Sequence, residues 1–351
     1  MKIKITNFFK NIVYTIVVLH CPLLVLSQQQ AVTTTTETVR WMTIDQAVKL
    51  QQAQPKTIMI DMYTDWCGWC KKMDQTTFSN PAIARYINDH FYPVKLNAET
   101  RDTLYYRDTM YVNNNTGQRP PHSLAVKLLG GRMSYPTTVY IDENFRVNAV
   151  PGYMDVGQIE PLLIYFAEKV YNTANYEDFQ KNFKKTFTPD TVETNINGRI
   201  AWLSFDELNV QMEKNPRKVL LYIYHDLTPS SRVMSNTTFT HPIIAEIIGE
   251  SYYAVKLDVT SLDTINFLGH TFTNDNEGPG HPHNLVIALL QPLITMPATV
   301  FFDEKKSLIY TFKGYYAPSM MELYLEFIRQ NKYQNGNWQN FVNSYQRRVK
   351  D

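Results

Sequence analysis

The stretch "TIMIDMYTDWCGWCKKM" occupies residues 57–73 and joins a mostly apolar run to two closely spaced cysteines. Residues 57–63 suit a β-strand that is buried on both faces of a sheet. A helix is predicted to begin directly after this strand, with Cys67 and Cys70 at its start. A buried strand followed by a helix favours an α/β layered domain.

The same arrangement recurs 161 positions later, where the two cysteines are absent. In the segment "VLLYIYHDLTPSSRVM" (219–234), Thr228 and Ser231 stand at the positions of Cys67 and Cys70. The second segment therefore keeps the strand and the helix start without the two thiols.

The internal match extends far beyond this segment at the same offset. It begins at Trp41 against Trp202 and includes "FYPVKLNAET" against "YYAVKLDVTS". A period this long indicates two whole domains and excludes a solenoid of short repeats. We predict repeat 1 over residues 41–184 and repeat 2 over residues 202–351, joined by a linker of residues 185–201.

Each repeat contains the same predicted series of helices and strands. In repeat 1 an amphipathic helix precedes the buried strand, and Asn80-Pro81 starts the helix after the cysteine segment. A strand is predicted over "YPVKLNA", and "TTVYID" and "RVNAV" form a predicted strand pair across Glu143-Asn144. The last helix is predicted to begin near Val156. This alternation predicts two tandem α/β domains.

Charge and composition exclude some classes of partner. The chain has 351 residues and a formal net charge of +1, so no basic field favours nucleic acid. Hydrophobic residues make up 44% and charged residues 19%, which is typical of a folded protein. No flavin or nucleotide fingerprint is present, so no cofactor is predicted.

The first residues have the features of a targeting segment. Several lysines precede a mostly apolar run from Ile12 to Leu26, and Val25-Leu26-Ser27 suits signal-peptidase cleavage. The run is short for a membrane span, which needs about 20 apolar residues. We predict a signal peptide over residues 1–27, export to the periplasm, and a polar linker over residues 28–40.

The mature chain is thus predicted to have no membrane span. The alternative is an uncleaved N-terminal segment that anchors the protein in the membrane. A lipoprotein signal at Cys21 is not favoured, because His20 stands directly before it where a small residue is needed.

Removal of the signal peptide leaves Cys67 and Cys70 as the remaining cysteines. One Cys-x-x-Cys pair builds no disulfide framework, so the pair is either redox-active or half of a metal site. A structural zinc site needs four ligands. His122 is a candidate ligand, but its counterpart His283 persists in repeat 2, which favours a packing or loop role. We therefore predict no metal at the pair.

Repeat 2 holds further histidines that leave a metal site open there. They lie in its loops or near them: His241, His270 and His281, beside His283. Loop histidines are ordinarily solvated, so we do not predict a metal at these residues either.

The cysteine segment of repeat 1 resembles the active site of the thioredoxin superfamily, in particular of exported thioredoxin-like proteins. The matching positions surround the cysteine pair or precede a strand: Asp61, Trp66, Cys67, Gly68, Trp69, Cys70, Lys71, Tyr135 and Pro136. The resemblance covers residues 41–170 and, more weakly, 202–331. It implies a central mixed sheet flanked by helices in each domain.

The resemblance also implies a cis-proline facing the dithiol, at Pro136 and at its counterpart Pro297. Trp69 departs from the family pattern, which usually has proline there. The direction of electron flow is therefore left open by the motif itself.

Thiol–disulfide chemistry follows from the resemblance. A helix start stabilises a thiolate, so Cys67 is the expected nucleophile and Cys70 the resolving thiol of a Cys67–Cys70 redox-active disulfide. Lys71 adds positive potential. Substrates would be protein thiols or disulfides, and an unidentified redox partner protein would exchange electrons with the pair. The alternative is a static disulfide.

Asp61 lies in an apolar strand, where burial is expected to raise the pKa of its carboxyl. The resemblance assigns this group to proton transfer with Cys70; the alternative is a hydrogen-bonded structural aspartate. Trp69 and Tyr135 are expected to flank Cys67 and to offer apolar contacts, although Tyr135 also suits core packing. In repeat 2 the position of Asp61 holds Tyr222.

These patterns favour an exported thiol–disulfide oxidoreductase that works as a reductase or isomerase. Repeat 2 is expected to be non-catalytic, with a binding or structural role, and its residues 228–231 are expected to cap a helix. The alternative is an envelope peptide-binding or chaperone-like protein whose dithiol is incidental or regulatory. A buried and unreactive Cys67 would favour that alternative.

Overall fold

Repeat 1 is built on a four-stranded mixed sheet with helices on its faces. Strand β1 lies in the middle, parallel to β2 and antiparallel to β5, and β6 pairs antiparallel with β5. A single bridge from Met42 to Val94 extends the sheet beyond β2. The elements of repeat 1 in chain order are α1 (Ile44–Ala53), β1 (Ile58–Tyr63), α2 (Gly68–Met73), a π-helical turn (Asp74–Phe78), α3 (Pro81–His90), β2 (Tyr92–Asn97), β3 (Leu104–Tyr106), β4 (Thr109–Tyr111), α4 (Ser123–Leu128), β5 (Thr137–Ile141), β6 (Val147–Pro151), α5 (Val156–Ala167), a 3-10 turn (Val170–Asn172) and α6 (Tyr176–Phe187).

Repeat 2 has the same sheet with one more edge strand. Its order is β7, β9, β8, β12, β13, so that β8 takes the place of β1 and β7 the place of the Met42 bridge. The elements of repeat 2 are β7 (Trp202–Leu203), α7 (Phe205–Lys214), β8 (Lys218–Tyr224), α8 (Pro229–Val233), a π-helical turn (Met234–Thr238), α9 (Pro242–Ser251), β9 (Tyr252–Asp258), β10 (Ile265–Phe267), β11 (His270–Phe272), α10 (Asn284–Leu290), β12 (Ala298–Phe302), β13 (Leu308–Lys313), α11 (Pro318–Arg329), α12 (Lys332–Asn335) and α13 (Trp338–Ser344).

This computed structural model describes residues 37–114, 116–188, 200–278 and 280–350. The predicted signal peptide, residues 28–36 of the polar linker and residues 189–199 of the second linker lie outside the described residues. Across the described ranges, no helix is both long enough and apolar enough to cross a membrane.

Local sequence signals account for where the helices begin. Asn80 accepts hydrogen bonds from the first backbone N–H groups of α3, and Pro81 is the first residue of that helix, as predicted. Helix α5 begins at Val156, also as predicted, and its N-cap Asp155 forms a capping box with Gln158. The predicted pair of strands around Glu143-Asn144 is present as β5 and β6.

The predicted polar linker of residues 28–40 extends too far into repeat 1. Val39 is buried in the hydrophobic core, and the backbone N–H of Arg40 donates to Asn88 Oδ1 at 2.8 Å. Asn88 in turn donates to the Thr38 carbonyl at 2.9 Å. One apolar side chain and one asparagine thus attach residues 37–40 to the fold.

The predicted linker of residues 185–201 is shorter at both ends. Helix α6 continues to Phe187, because its apolar side chains keep the helical spacing, and Ile200 is already buried. One continuous hydrophobic core includes side chains of both repeats. In that core the Phe179 ring of α6 lies 5.4 Å from the Tyr315 ring of repeat 2.

Candidate active site

The two cysteines form a disulfide at the start of α2. The bond joins Cys67 Sγ to Cys70 Sγ at 2.07 Å, and Cys67 is the N-cap of the helix. Its sulfur accepts a hydrogen bond from the Cys70 backbone N–H at 3.1 Å. In this oxidised state Cys67 is 4% exposed and Cys70 3%. A Cβ added at Gly68 would meet no atom within 4 Å, so close packing does not require glycine there.

Both predicted cis-prolines are present. The Tyr135-Pro136 and Met296-Pro297 bonds are cis, and a third cis bond, Gln291-Pro292, was not predicted from the sequence. The Pro136 carbonyl accepts from the Gly152 N–H at 2.9 Å, which attaches the start of β5 to the end of β6. Repeat 2 has the equivalent bond between Pro297 and Gly314.

An exposed tryptophan directly precedes each of the two cysteines, and these two side chains contribute to an aromatic surface. Trp66 is 50% exposed and Trp69 is 57% exposed. The Trp66 ring meets Tyr135 edge-on at 6.2 Å, and the Trp69 ring lies 5.3 Å from that of Tyr153. The Lys72 ammonium lies 4.9 Å from the Trp69 ring. The surface therefore offers both apolar contact and positive charge to a bound chain.

Glu99 holds Trp66 in place. The Trp66 Nε1–H donates to the Glu99 carboxylate at 3.0 Å, and the Arg119 guanidinium lies 5.3 Å from the indole ring. Burial, with a smaller contribution from Glu99, raises the pKa of Tyr135 to about 12. Tyr135 therefore remains a neutral hydrogen-bonding group at physiological pH.

Asp61 is buried in β1, as predicted, but it is not isolated. Its Oδ2 lies 3.1 Å from Lys95 Nζ, and the same ammonium makes a still closer contact with Asp74 Oδ1. Burial raises the pKa of Asp61 to about 6, against the opposing effect of Lys95. The carboxyl can therefore accept or release a proton near neutral pH.

Sequence reasoning missed Lys95, Asp74, Glu99 and Tyr153. One signal for Lys95 was available, because it is a lysine inside the predicted strand "YPVKLNA" and lies opposite Asp61 in the β1–β2 register. The other three depend on where separate loops and turns meet, which sequence spacing does not give.

Repeat 2 replaces the two carboxylates that contact Lys95 and keeps the lysine as Lys256. Tyr222 takes the place of Asp61, and its hydroxyl donates to the Ser231 carbonyl at 2.9 Å. Ser235 takes the place of Asp74 and lies 3.1 Å from the same hydroxyl. Leu227, at the position of Trp66, is 83% exposed. Repeat 2 thus lacks both thiols and the counterparts of Asp61 and Asp74.

Residues 228–231 begin α8, as expected, and the N-cap position holds the Thr228 side chain. That side chain makes no capping hydrogen bond; instead Glu168 Oε2 of repeat 1 accepts from the Ser230 backbone N–H at 2.9 Å. Burial raises the pKa of Glu168 to about 7, and the hydrogen bonds with Ser230 oppose this. A residue far away in sequence thus supplies the cap, which no local pattern could indicate.

Repeat 1 covers the face of repeat 2 that corresponds to the cysteine face. The Arg232 guanidinium lies 4.5 Å from the Phe187 ring of α6, and Asn182 Nδ2 donates to the Tyr315 hydroxyl at 3.0 Å. Ser230 is 1% exposed, whereas its counterpart Trp69 is largely in solvent. The equivalent face is therefore open in repeat 1 and occupied in repeat 2.

His122 and His283 cap helices, in agreement with their predicted packing role. Each ring accepts the N–H two residues ahead, from Leu124 and from Leu285, and is buried. Within the ranges that the structure describes, no group of three or more possible metal ligands comes together.

Comparisons with known proteins agree with this geometry. Residues 27–162 match the family model Thioredox_DsbH, described as a protein of unknown function, DUF255. The thiol:disulfide interchange protein DsbD of Pectobacterium atrosepticum is 28% identical over 116 residues, which are 32% of this chain and 17% of that protein. DsbD of Salmonella typhi is 42% identical over 40 residues, 11% of this chain and 7% of its own length.

The chain therefore spans less than a fifth of the length of these relatives. A solved structure named DsbH Oxidoreductase is 16% identical and covers 36% of this chain and 81% of its own, with a TM-score of 0.26.

The Cys-x-x-Cys helix start and the sequence matches support a thioredoxin-like class of protein for repeat 1. Residues 27–162 are similar to a thioredoxin-like family, and the relatives named above are thiol:disulfide interchange proteins.

Proposed function

We propose that repeat 1 catalyses thiol–disulfide exchange on protein substrates through Cys67 and Cys70. The observation that carries this proposal is the disulfide at the N-terminus of α2, beside exposed aromatic side chains. The helix start favours the thiolate of Cys67 once the pair is reduced. Trp69 and Trp66 provide the apolar surface on which an extended substrate can lie.

The reaction transfers two electrons from the dithiol to a substrate disulfide. The Cys67 thiolate attacks one substrate sulfur, which forms a mixed disulfide and releases the other substrate sulfur as a thiolate. Cys70 then loses its proton and attacks Cys67 Sγ. This step forms the Cys67–Cys70 bond and releases the second substrate sulfur as a thiolate.

Asp61 is the proposed acceptor of the Cys70 proton. Its carboxyl is the buried titratable group on the strand that leads into the cysteine segment, and its pKa of about 6 suits proton exchange near neutral pH. Lys95 keeps part of the carboxyl population ionised, which a base requires.

We further infer a reducing or isomerising direction, with electrons supplied by another protein. The sequence contains no nucleotide or flavin fingerprint, which supports another protein as the electron source; the reduction potential decides the direction. Equilibration of the protein with glutathione buffers measures the reduction potential of the pair. A potential near or below that of thioredoxin, about −270 mV, fits this direction, whereas one near −120 mV would refute it.

Export to the periplasm through a cleaved signal peptide over residues 1–27 is also proposed. The lysines and apolar run of the N-terminus support it. Cell fractionation and the N-terminal sequence of the purified protein test it. A chain that keeps residue 1 and stays with the membrane would favour the uncleaved anchor.

Repeat 2 is proposed to have arisen by tandem duplication and to serve as a structural support for repeat 1. Its equivalent of the cysteine face is covered by α6 and Glu168, so a peptide cannot bind there without displacing repeat 1. Loss of the thiols is then neutral for repeat 2, because the face no longer meets a substrate.

Replacing Glu168 with alanine is expected to lower the free energy of unfolding by about 1–2 kcal/mol, because the Ser230 N–H would be left without an acceptor. Urea unfolding measures this effect. Glu213→Ala, at an exposed position on α7, serves as the matched control and should change little. Equal effects of the two variants would contradict a structural contact between the repeats.

A further inference from the structure

One ammonium group in repeat 1 is shared between two carboxylates. Lys95 Nζ lies 3.1 Å from Asp61 Oδ2 and is in closer contact with Asp74 Oδ1. The Asp61 side chain is 3% exposed and the Asp74 side chain 39% exposed, so the lysine joins a buried acid to one at the surface.

We propose that Asp74 is a positioning residue that holds Lys95 and thereby sets how strongly the Lys95 ammonium acts on the Asp61 carboxylate. This inference rests on the proposed function, in which Asp61 exchanges a proton with Cys70. Asp74 itself touches neither sulfur nor substrate in the proposed reaction.

Three different elements bring these groups together. Asp61 lies on β1 and Lys95 directly opposite on β2, while Asp74 is the first residue of the π-helical turn that continues the cysteine helix. The ammonium also lies 5.2 Å from the ring of Trp41 and 5.2 Å from that of Tyr63. It is therefore fixed between two aromatic rings and two carboxylates.

The electrostatics of the group give Asp74 a definite effect. A single positive charge faces two negative ones, so Lys95 cannot neutralise both fully. Asp74 competes with Asp61 for the Lys95 ammonium, which weakens the attraction between Lys95 and Asp61. The negative charge of Asp74 also repels the ionised Asp61 carboxylate. On the neighbouring strand β5, the uncharged residue Thr138 lies opposite Asp61. Both effects of Asp74 disfavour the ionised form of Asp61.

Repeat 2 has the same fold but lacks the counterparts of Asp61 and Asp74. The lysine persists as Lys256, opposite Tyr222 in the same register, while Ser235 stands at the position of Asp74. Lys256 is exposed, with its ammonium 5.9 Å from the Tyr224 ring. A cavity of about 390 Å³ opens where the corresponding groups of repeat 1 meet. Asp74 was thus lost together with the cysteines and Asp61, although the π-helical turn was kept.

The test is a titration of the Asp61 carboxyl in the oxidised full chain, by carbon-13 NMR of labelled aspartate, with Asp61→Asn to assign the signal. In Asp74→Asn the midpoint of the Asp61 titration is expected to fall by about one pH unit. Asp65→Asn is the matched control, since Asp65 carries the same charge nearby but pairs with Asn97 instead of Lys95. It should shift the midpoint much less.

A second variant provides the same test if Asp74→Asn does not fold. Asp74→Ser reproduces the residue found in repeat 2 and should shift the midpoint in the same direction. An unchanged midpoint in a folded Asp74 variant, or an equal shift in Asp65→Asn, would overturn the proposal.

Turnover of a protein disulfide separates this inference from the proposed function. In Asp74→Asn the acid limb of the pH–rate profile should move to lower pH by the same amount as the NMR midpoint. If the wild-type protein turns over and the limb does not move, the role of Asp74 fails alone. If the wild type has no turnover at all, the proposed function fails, and the NMR titration still decides whether Asp74 controls Asp61.

Discussion

Replacing Cys67 with serine is expected to lower protein disulfide reduction by about 10³-fold or more, because a serine hydroxyl is not ionised near neutral pH and cannot attack a disulfide. Cys67 is the N-cap of α2, where the backbone favours the negative charge of a thiolate. Turnover of a small disulfide-bonded protein measures the loss. Thr228→Ala, at the matching position of repeat 2, is the control and should leave the rate unchanged.

Cys70→Ser should give a different result from Cys67→Ser. The first attack still occurs, but no thiol remains to resolve the mixed disulfide, so the substrate stays bound to Cys67. Mass spectrometry after acid quenching would detect the covalent complex, and a reducing agent would release it. Equal activity of both serine variants and the wild type would contradict a redox role for the pair.

The second large effect is expected at Asp61, where activity and stability should change in opposite directions. Asp61→Asn removes the proposed proton acceptor, so turnover should fall by about 10²-fold, the usual size of a general-base contribution. The wild-type rate should rise as the Asp61 carboxyl ionises near pH 6, and this limb should be absent from the variant.

Stability should increase in the same variant. The pKa of Asp61 is about 6 in the folded protein and near 3.8 when unfolded, so the native state binds the proton more tightly. The free energy of unfolding therefore falls as pH rises from about 4 to about 6, and by pH 7.5 the wild type has lost about 2–3 kcal/mol. An asparagine does not ionise and avoids this loss.

Urea unfolding of the oxidised protein at pH 4 and pH 7.5 tests the sign. We expect the free energy of unfolding of Asp61→Asn to be about 2 kcal/mol higher than that of the wild type at pH 7.5 and closer to it at pH 4. The exposed Asp65→Asn should show no such difference between the two pH values. If Asp61→Asn were less stable than the wild type at both pH values, the Asp61 carboxylate would be a structural hydrogen-bonding group.

Much of the fold could be predicted because its signals are local. The apolar run of β1, the Asn80-Pro81 helix start and the Cys-x-x-Cys helix start each lie within a few residues. The resemblance to a known family added the two cis-prolines, Pro136 and Pro297. Local signals also placed Asp61 in a buried strand.

The parts that were missed depend on pairs far apart in the chain. Lys95 meets Asp61 through the β1–β2 register, and Asp74 reaches the same ammonium from the π-helical turn after α2. Glu168 caps α8 through the contact between the repeats. Val39 was assigned to a linker because its neighbours are polar, although one buried side chain was enough to join it to the core.

The covered face of repeat 2 explains why a chain can repeat an active-site segment without its thiols. Ser231, at the position of Cys70, and Ser230 beside it are both 1% exposed, and the Ser230 N–H donates to Glu168 of repeat 1. The same segment that exposes Trp69 in repeat 1 therefore serves in repeat 2 as an attachment site for repeat 1.

The most direct test of the central claim is the rate of Cys67 alkylation in the folded, reduced protein as a function of pH. The claim requires that Cys67, which is only 4% exposed in the disulfide, becomes a reactive thiolate when the pair is reduced. We predict that Cys67 reacts before Cys70, with a midpoint below that of free cysteine, about 8.5. If Cys67 reacts only after the protein is unfolded, the dithiol is inert, and a peptide-binding or chaperone-like role would replace the catalytic one.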